Sequence, residues 1–320
     1  MTASTAGSLE HDALFYTDAA SYRAGLLEFV RDGLDNDEPV LVAVPQPGLG
    51  LLRSALSEAE AALVRTADMA VAGRNPGRII GSVLTAFVNE HAGRGVRIIG
   101  EPIWASRSEE EYPACAEHEA LINVALADMP AYVLCPYDVR HLGRAWLTDA
   151  TRTHPMLAAG TDRWESPGYT DPVAVAAWFD RPPEPAPAHA DVLVIGQFTG
   201  PSTARRFVHD YAERAGMAPE RISDLRTAVQ ELVVNTLVHA GGSGLLSIWS
   251  TEQQVICQVQ DGGRITDPLV GRRPPAPPAA GHGLYTVHQL CDLVRVHRRR
   301  DGSLIRIYVD KRVDHGLSTR

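Results

Sequence analysis

The chain has 320 residues, enough for two ordinary domains with separate cores. Its formal net charge of -9 excludes a general nucleic-acid binder, which carries a basic excess. No apolar run approaches the roughly 20 residues needed to span a bilayer, so no membrane role is expected.

The first ten residues are small and polar, without a basic start or an apolar core, and read as a disordered tail with no secretory signal. Cys115, Cys135, Cys257 and Cys291 stand apart with no CxxC pair. That spacing fits reduced thiols of a cytoplasmic protein rather than a disulfide framework.

Residues 11–180 alternate strand and helix signals. Ala13 to Tyr16 reads as a short strand, and Asp18 can cap a helix to Gly33 with Leu26, Leu27 and Val30 on one face. Val40 to Val44 is a continuous apolar run, as in a strand buried on both faces. Asn75-Pro76 is a cap followed by a first-turn proline, opening a helix toward His91. Val96 to Ile99 and Tyr132 to Cys135 are further buried-strand candidates. This order predicts a mainly parallel α/β sheet.

Arg181 to Pro187 reads RPPEPAP, a stiff connector, and residues 181–190 are taken as the linker. Residues 191–320 are ordered differently. Val192 to Phe198 is a strand, and Ser202 can cap a helix ending near Gly216. Pro219 opens a second helix that stops at Gly241-Gly242. Gly244 to Ser250 and Gln254 to Gln260 form a hairpin. After a helix that follows Gly283, two strands, Leu293 to His297 and Leu304 to Val309, join at Asp301-Gly302. Runs of helices and antiparallel strands predict an α+β sandwich. The Arg298 to Arg300 run precedes that turn and reads as solvated rather than as a phosphate patch.

Three motifs of the second domain carry chemistry. Glu231, Asn235 and His239 are spaced by four, so they share one helical face, while Leu225, Val229, Leu232 and Leu237 supply another. Alone, this is the polar stripe of any amphipathic helix. The strand Val255 to Gln260 runs into Asp261-Gly262-Gly263, where glycine lets a backbone approach a ligand. Gly281-His282-Gly283-Leu284 then opens a helix, whose first N–H groups suit a phosphate. Each of the last two is weak by itself; order, spacing and context together are specific.

In this order ExxxN with HA, DxG and GxGL resemble the N, G1 and G2 boxes of the GHKL ATPases (the Bergerat fold) over residues 191–320. The resemblance implies ATP and Mg²⁺ as cofactors. It implies Asn235 as the Mg²⁺ ligand, Glu231 as general base, and Asp261 as acceptor for the adenine amino group. Gly263 would let adenine pack close, and Gly281, Gly283 and Leu284 would bring N–H groups to the phosphates. Arg272 to Ala280 would be the lid. His239 is read equally as a structural helix-end residue. Two departures stand out: Ile265 occupies the last glycine of DxGxG, and the lid is proline-rich.

Within that superfamily, AVQELVVNTLVHA and GHGLYTVHQLCDL are most similar to the anti-sigma-factor serine kinases. The resemblance implies a partner-switching regulator of transcription that phosphorylates a serine or threonine on a STAS-domain antagonist and sequesters a sigma factor. A nucleotide-binding pseudokinase switch is the alternative, motivated by Ile265 and the lid, and a histidine-kinase-like protein is the third reading. A homodimer is left open.

GEPIW from Gly100, HEALIN from His118 and LCPYD from Leu134 resemble the MEDS sensory domain over about residues 10–180, which implies a RecA-like fold that has lost its nucleotide. The loop after Val44, PQPGLG, is no Walker A. His118-Glu119 is no zinc-protease helix, because HExxH needs histidine where Ile122 stands. Glu101, Glu119, Cys135, Tyr137 and Asp138 are expected to gather where strands end, as a sensory pocket for an unidentified small-molecule or redox signal. The competing reading is a polar network that orders loops.

Overall fold

The computed structural model describes residues 8–274 and 282–312. The chain divides into two compact units, Met1–Phe179 and Asp180–Arg320.

The first unit is a mixed seven-stranded sheet. Its strands are β1 (Glu10–Tyr16), β2 (Val40–Val44), β3 (Val64–Asp68), β4 (Val96–Gly100), β5 (Ala131–Asp138), β6 (Met156–Ala159) and β7 (Asp162–Glu165). Their order is β3-β2-β4-β5-β1-β6-β7. Every pairing is parallel except the β6–β7 edge hairpin. Every residue of β2, an unbroken apolar run, is buried, and so is every residue of β4, where Arg97 pairs with Asp32 and Glu38. The apolar core includes Leu14, Leu26, Val30, Val42, Leu49 and Ile99.

Local signals set the helix starts. Asp18 and Ser21 form a reciprocal capping box that opens the helix Ala19–Asp35. Asn75 caps the turn Pro76–Ile79, but the backbone then widens into a π-helical segment, Ile80–Thr85, before Ala86–Glu90. The helix expected toward His91 is therefore three consecutive pieces. β1 starts at Glu10, inside the stretch read as a tail, and Leu9 N–H donates to the Ala127 carbonyl. Residues 1–7 of that expected tail lie outside the described residues.

The second unit is an antiparallel sheet of β8 (Asp191–Ile195), β9 (Gly244–Ser250), β10 (Gln254–Asp261), β11 (Leu293–Arg299) and β12 (Gly302–Asp310), in the order β11-β12-β10-β9-β8. Helices Pro201–Arg214, Pro219–His239 and His282–Leu290 pack on one face. Leu225, Val229 and Leu232 meet Ile248, Cys257 and Ile307 there. Each such side chain stabilises the fold by about 1.5–3 kcal/mol on full burial. The first of these helices begins with Pro201, and its cap residue is Gly200, so Ser202 lies inside the helix instead of capping it. Proline fits the first helical position because that N–H would have no partner in any case.

The proline-rich stretch is tied to this second unit. The buried Asp180 carboxylate accepts from Arg298 N–H at 3.1 Å, from the Arg298 guanidinium at 3.1 Å, and pairs with His297 Nδ1 at 2.7 Å. Arg306 donates to the Glu184 carbonyl, holds Gln258 Oε1, and stacks over Trp249.

Candidate functional site

The three motifs of the second unit meet at one cleft. The helix Pro219–His239 turns its apolar face to the sheet and leaves Glu231 and Asn235 partly buried along its other side, with His239 exposed. Strand β10 ends at Asp261, and three donors fix its carboxylate. Thr236 Oγ1 donates to one oxygen at 2.7 Å; Gly263 N–H and Ser303 Oγ donate to the other at 3.0 and 3.1 Å. An ionised carboxylate offers about four lone-pair sites, so one remains for a ligand.

Two glycines stand at close approaches. A Cβ on Gly283 would stand 3.1 Å from Glu231 Oε2 and 3.2 Å from both amide atoms of Asn235. A Cβ on Gly263 would stand 2.9 Å from the Ala240 Cβ. The start of the helix His282–Leu290 is thereby pressed onto the Glu231–Asn235 face.

The cleft between these parts has a volume of about 300 Å³, at the lower end of the range for small-molecule sites. Leu232, Val259, Ile265, Val270, Leu284 and Ile305 form its apolar walls, while Asn235, Asp261, Thr266 and Ser303 supply polar groups. Ile265 therefore forms a wall, packed partly against the core, and leaves the cleft open. Gly281 and residues 275–280 of the expected lid lie outside the described residues; Arg272, at the start of that stretch, is buried.

The donor set fits the implied cofactors. A cleft with apolar walls and a fixed carboxylate among its lining residues suits a purine bearing an exocyclic amine. The amide oxygen of Asn235 is a hard ligand that suits Mg²⁺, and Glu231 stands beside it across Gly283.

The structure divides the five residues singled out in the first unit into two groups. Glu101 and Asp138 line a cavity of about 400 Å³ outside the carboxyl ends of the strands, together with Tyr16, Tyr22, Trp104 and His141. Tyr22 donates to Glu101 at 2.8 Å, and burial pushes the Glu101 carboxyl up to about 8. Glu119, Cys135 and Tyr137 are not in this crevice. They are buried in the interior, where Glu119 and Cys135 meet His11 and His154. Burial pushes the Cys135 thiol well up, and the Glu119 charge adds to it.

Sequence reasoning missed His11 and His154. The one local signal was the polar start of strand β1, Glu10-His11-Asp12, in which His11 and Asp12 are buried and so need partners.

Residues 10–155 match the family model of MEDS, the methanogen/methylotroph, DcmR sensory domain. Residues 201–309 match the histidine kinase-like ATPase domain. No curated protein matches the chain. Among solved structures, the RsbU and RsbW domains of a Mycobacterium tuberculosis protein are 16% identical, with a TM-score of 0.31, over 40% of this chain and 34% of that one. The histidine kinase domain of a blue-light activated histidine kinase from Erythrobacter litoralis is 19% identical, with a TM-score of 0.23, over 43% of this chain and 76% of that one. The present chain thus spans about a third of the length of the first structure. Among the described residues no helix is long and apolar enough to cross a membrane. The two family matches agree with a mainly parallel sheet in one unit and an antiparallel sheet under helices in the other: residues 10–155 form a MEDS-type sensory domain, and residues 201–309 a GHKL-type, histidine kinase-like ATPase domain.

Proposed function

We propose that the chain is a partner-switching regulator of transcription whose second unit is an ATP-dependent protein serine/threonine kinase, controlled by its sensory domain. The observation that carries this reading is the convergence of Asn235, Asp261 and Gly283 on one open cleft, with Glu231 close against Gly283. Its substrate is a STAS-domain antagonist, and its regulatory target is a sigma factor.

Bound Mg²⁺ and ATP supply an activated phosphoryl group at the cleft. Asp261, fixed by Thr236, Gly263 and Ser303, accepts the exocyclic amine of the base and sets its register. Leu232, Ile265 and Leu284 exclude water from its faces. Asn235 offers a metal ligand one helical turn from Glu231. Glu231, whose carboxylate lies close to Gly283, takes the proton of the incoming hydroxyl. Gly283, Leu284 and Gly281 belong to the stretch that meets the phosphates.

Transfer of labelled phosphate from ATP to STAS-domain proteins tests the reading. Acid-stable label on a partner serine or threonine is expected, and its loss in Glu231→Ala. Absence of transfer to every STAS protein tried, with nucleotide still bound, leaves a switch that binds without turnover. Ile265 at the third glycine position of the motif favours that second reading, because its side chain replaces a backbone approach by an apolar wall.

A further inference from the structure

A polar cluster inside the first unit takes no part in the nucleotide chemistry. His11 enters it from β1, Cys135 from the neighbouring strand β5, Glu119 from the helix Tyr112–Ala125, and His154 from the residue after the helix Arg144–Thr153. None of the four is more than 1% exposed. One donor atom from each lies within 4.8 Å of all the others. Glu119 Oε2 stands 3.4 Å from His11 Nε2 and 3.2 Å from His154 Nε2, and Cys135 Sγ stands 3.5 Å from His11 Nε2. A tetrahedral ion with bonds of about 2.0–2.3 Å spaces its ligands by about 3.3–3.8 Å.

The surroundings fix which ring nitrogens carry protons. The Asn123 amide donates through Nδ2 to the Thr153 carbonyl at 2.7 Å and to the Ala120 carbonyl at 3.2 Å, which turns its Oδ1 toward His11 Nδ1 at 3.1 Å. His154 Nδ1 faces the Ala150 carbonyl at 2.9 Å and the Thr153 hydroxyl at 2.9 Å, whose own proton goes to the Asp149 or Ala150 carbonyl at 3.2 Å. Both acceptors demand a proton on Nδ1, so each neutral ring presents a bare Nε2 lone pair to the cluster. These lone pairs converge on the Glu119 carboxylate. Neither oxygen of that carboxylate, nor His154 Nε2, has a hydrogen-bond partner. Lone pairs facing one another in a buried site repel, and a cation at their centre removes the conflict. An Nδ1–H donated to a carbonyl or amide oxygen is also how metal-ligating histidines are held.

We propose that His11, Glu119, Cys135 and His154 form a buried four-ligand site for a divalent transition-metal ion. Zinc suits two imidazoles, a thiolate and a carboxylate best. Binding replaces the Cys135 thiol proton, which leaves to solvent. Four protein ligands leave no open position, so the ion fastens β1, β5 and the two helical segments together and performs no hydrolysis. Asn123 is the positioning residue that holds His11 in its tautomer. The site stands independently of the nucleotide reading.

The test uses the full-length chain, stripped with a chelator and reloaded with Zn²⁺ or Co²⁺. The expected result is one equivalent retained through gel filtration, and a thiolate-to-cobalt charge-transfer band. Cys135→Ser abolishes that band, His154→Asn weakens binding at least tenfold, and Asn123→Ala weakens it by about 10–100-fold. A folded wild-type chain that retains neither ion overturns the proposal. So does a cobalt complex without the thiolate band, which decides the matter even where a variant fails to fold. Retention and a spectrum unchanged in Cys135→Ser overturn it equally.

Discussion

In the second unit Asn235, Asp261 and Gly283 face an open cleft of about 300 Å³, whereas in the first unit His11, Glu119, Cys135 and His154 are at most 1% exposed. The cleft is built from three short motifs, each a contiguous stretch of the chain and each on its own element. The buried cluster draws single residues from four segments separated by as many as 143 positions (154 − 11). An open cleft tolerates polar groups because a ligand or water can satisfy them. A sealed one must satisfy them internally, which makes the partners of each group informative.

The largest effect that separates fold from chemistry falls on the helix Pro219–His239. Leu225→Ala removes a fully buried side chain and costs about 2–5 kcal/mol, read as a lower urea midpoint. Glu231→Ala on the same helix shifts stability by no more than about 0.5 kcal/mol, because it lies on the polar side, and abolishes phosphoryl transfer. Equal losses of stability in the two variants would erase the distinction between the faces.

Asp261→Asn sharpens the cleft side of the comparison. It keeps the shape and removes the charge from an acceptor held by Thr236, Gly263 and Ser303, so ATP affinity by calorimetry falls about tenfold or more. Unchanged affinity in the folded variant would place the base elsewhere.

Glu101 tests the cost of enclosure in the first unit. Its carboxyl titrates near 8 in the folded chain, against an ordinary value of 4.5, because burial disfavours the charge. Between those values the unfolded chain has released the proton and the folded chain retains it. Stability therefore falls as pH rises through this window, by up to about 1.4 kcal/mol per pH unit. Glu101→Gln removes that slope, as urea melts at two pH values inside the window will show; a parallel dependence in wild type and variant would refute the assignment.

The smallest expected effect is local. Asp18→Ala removes the capping box of the helix Ala19–Asp35 and lowers the thermal midpoint slightly. No shift would mean that packing alone sets that helix start.

Legibility followed the range of the interaction. Val40–Val44 was readable because a strand covered on both faces must be apolar throughout. The Asp18 and Asn75 caps were readable because capping is decided within four residues. Glu231, Asn235, Asp261 and Gly283 could be picked out because helix periodicity and turn chemistry fix their local geometry. Ser202 misled because it too is an N-cap residue type, while Pro201 just before it already begins the helix. The π-helical widening at Ile80–Thr85 left no local mark.

By itself the chain determined where many of its helices and strands fall, that one sheet is mainly parallel and the other antiparallel, and where its short candidate motifs lie on those elements. Those follow from side-chain periodicity and backbone chemistry acting over a few residues. Tertiary structure alone decided that His11 meets Cys135, Glu119 and His154, that Glu101 keeps company with Tyr22 and Asp138, and that Asp180 is held by His297 and Arg298. Parallel pairing sets β1 against β5 across more than a hundred residues, and no pattern within either strand specifies which polar side chain its neighbour will bring.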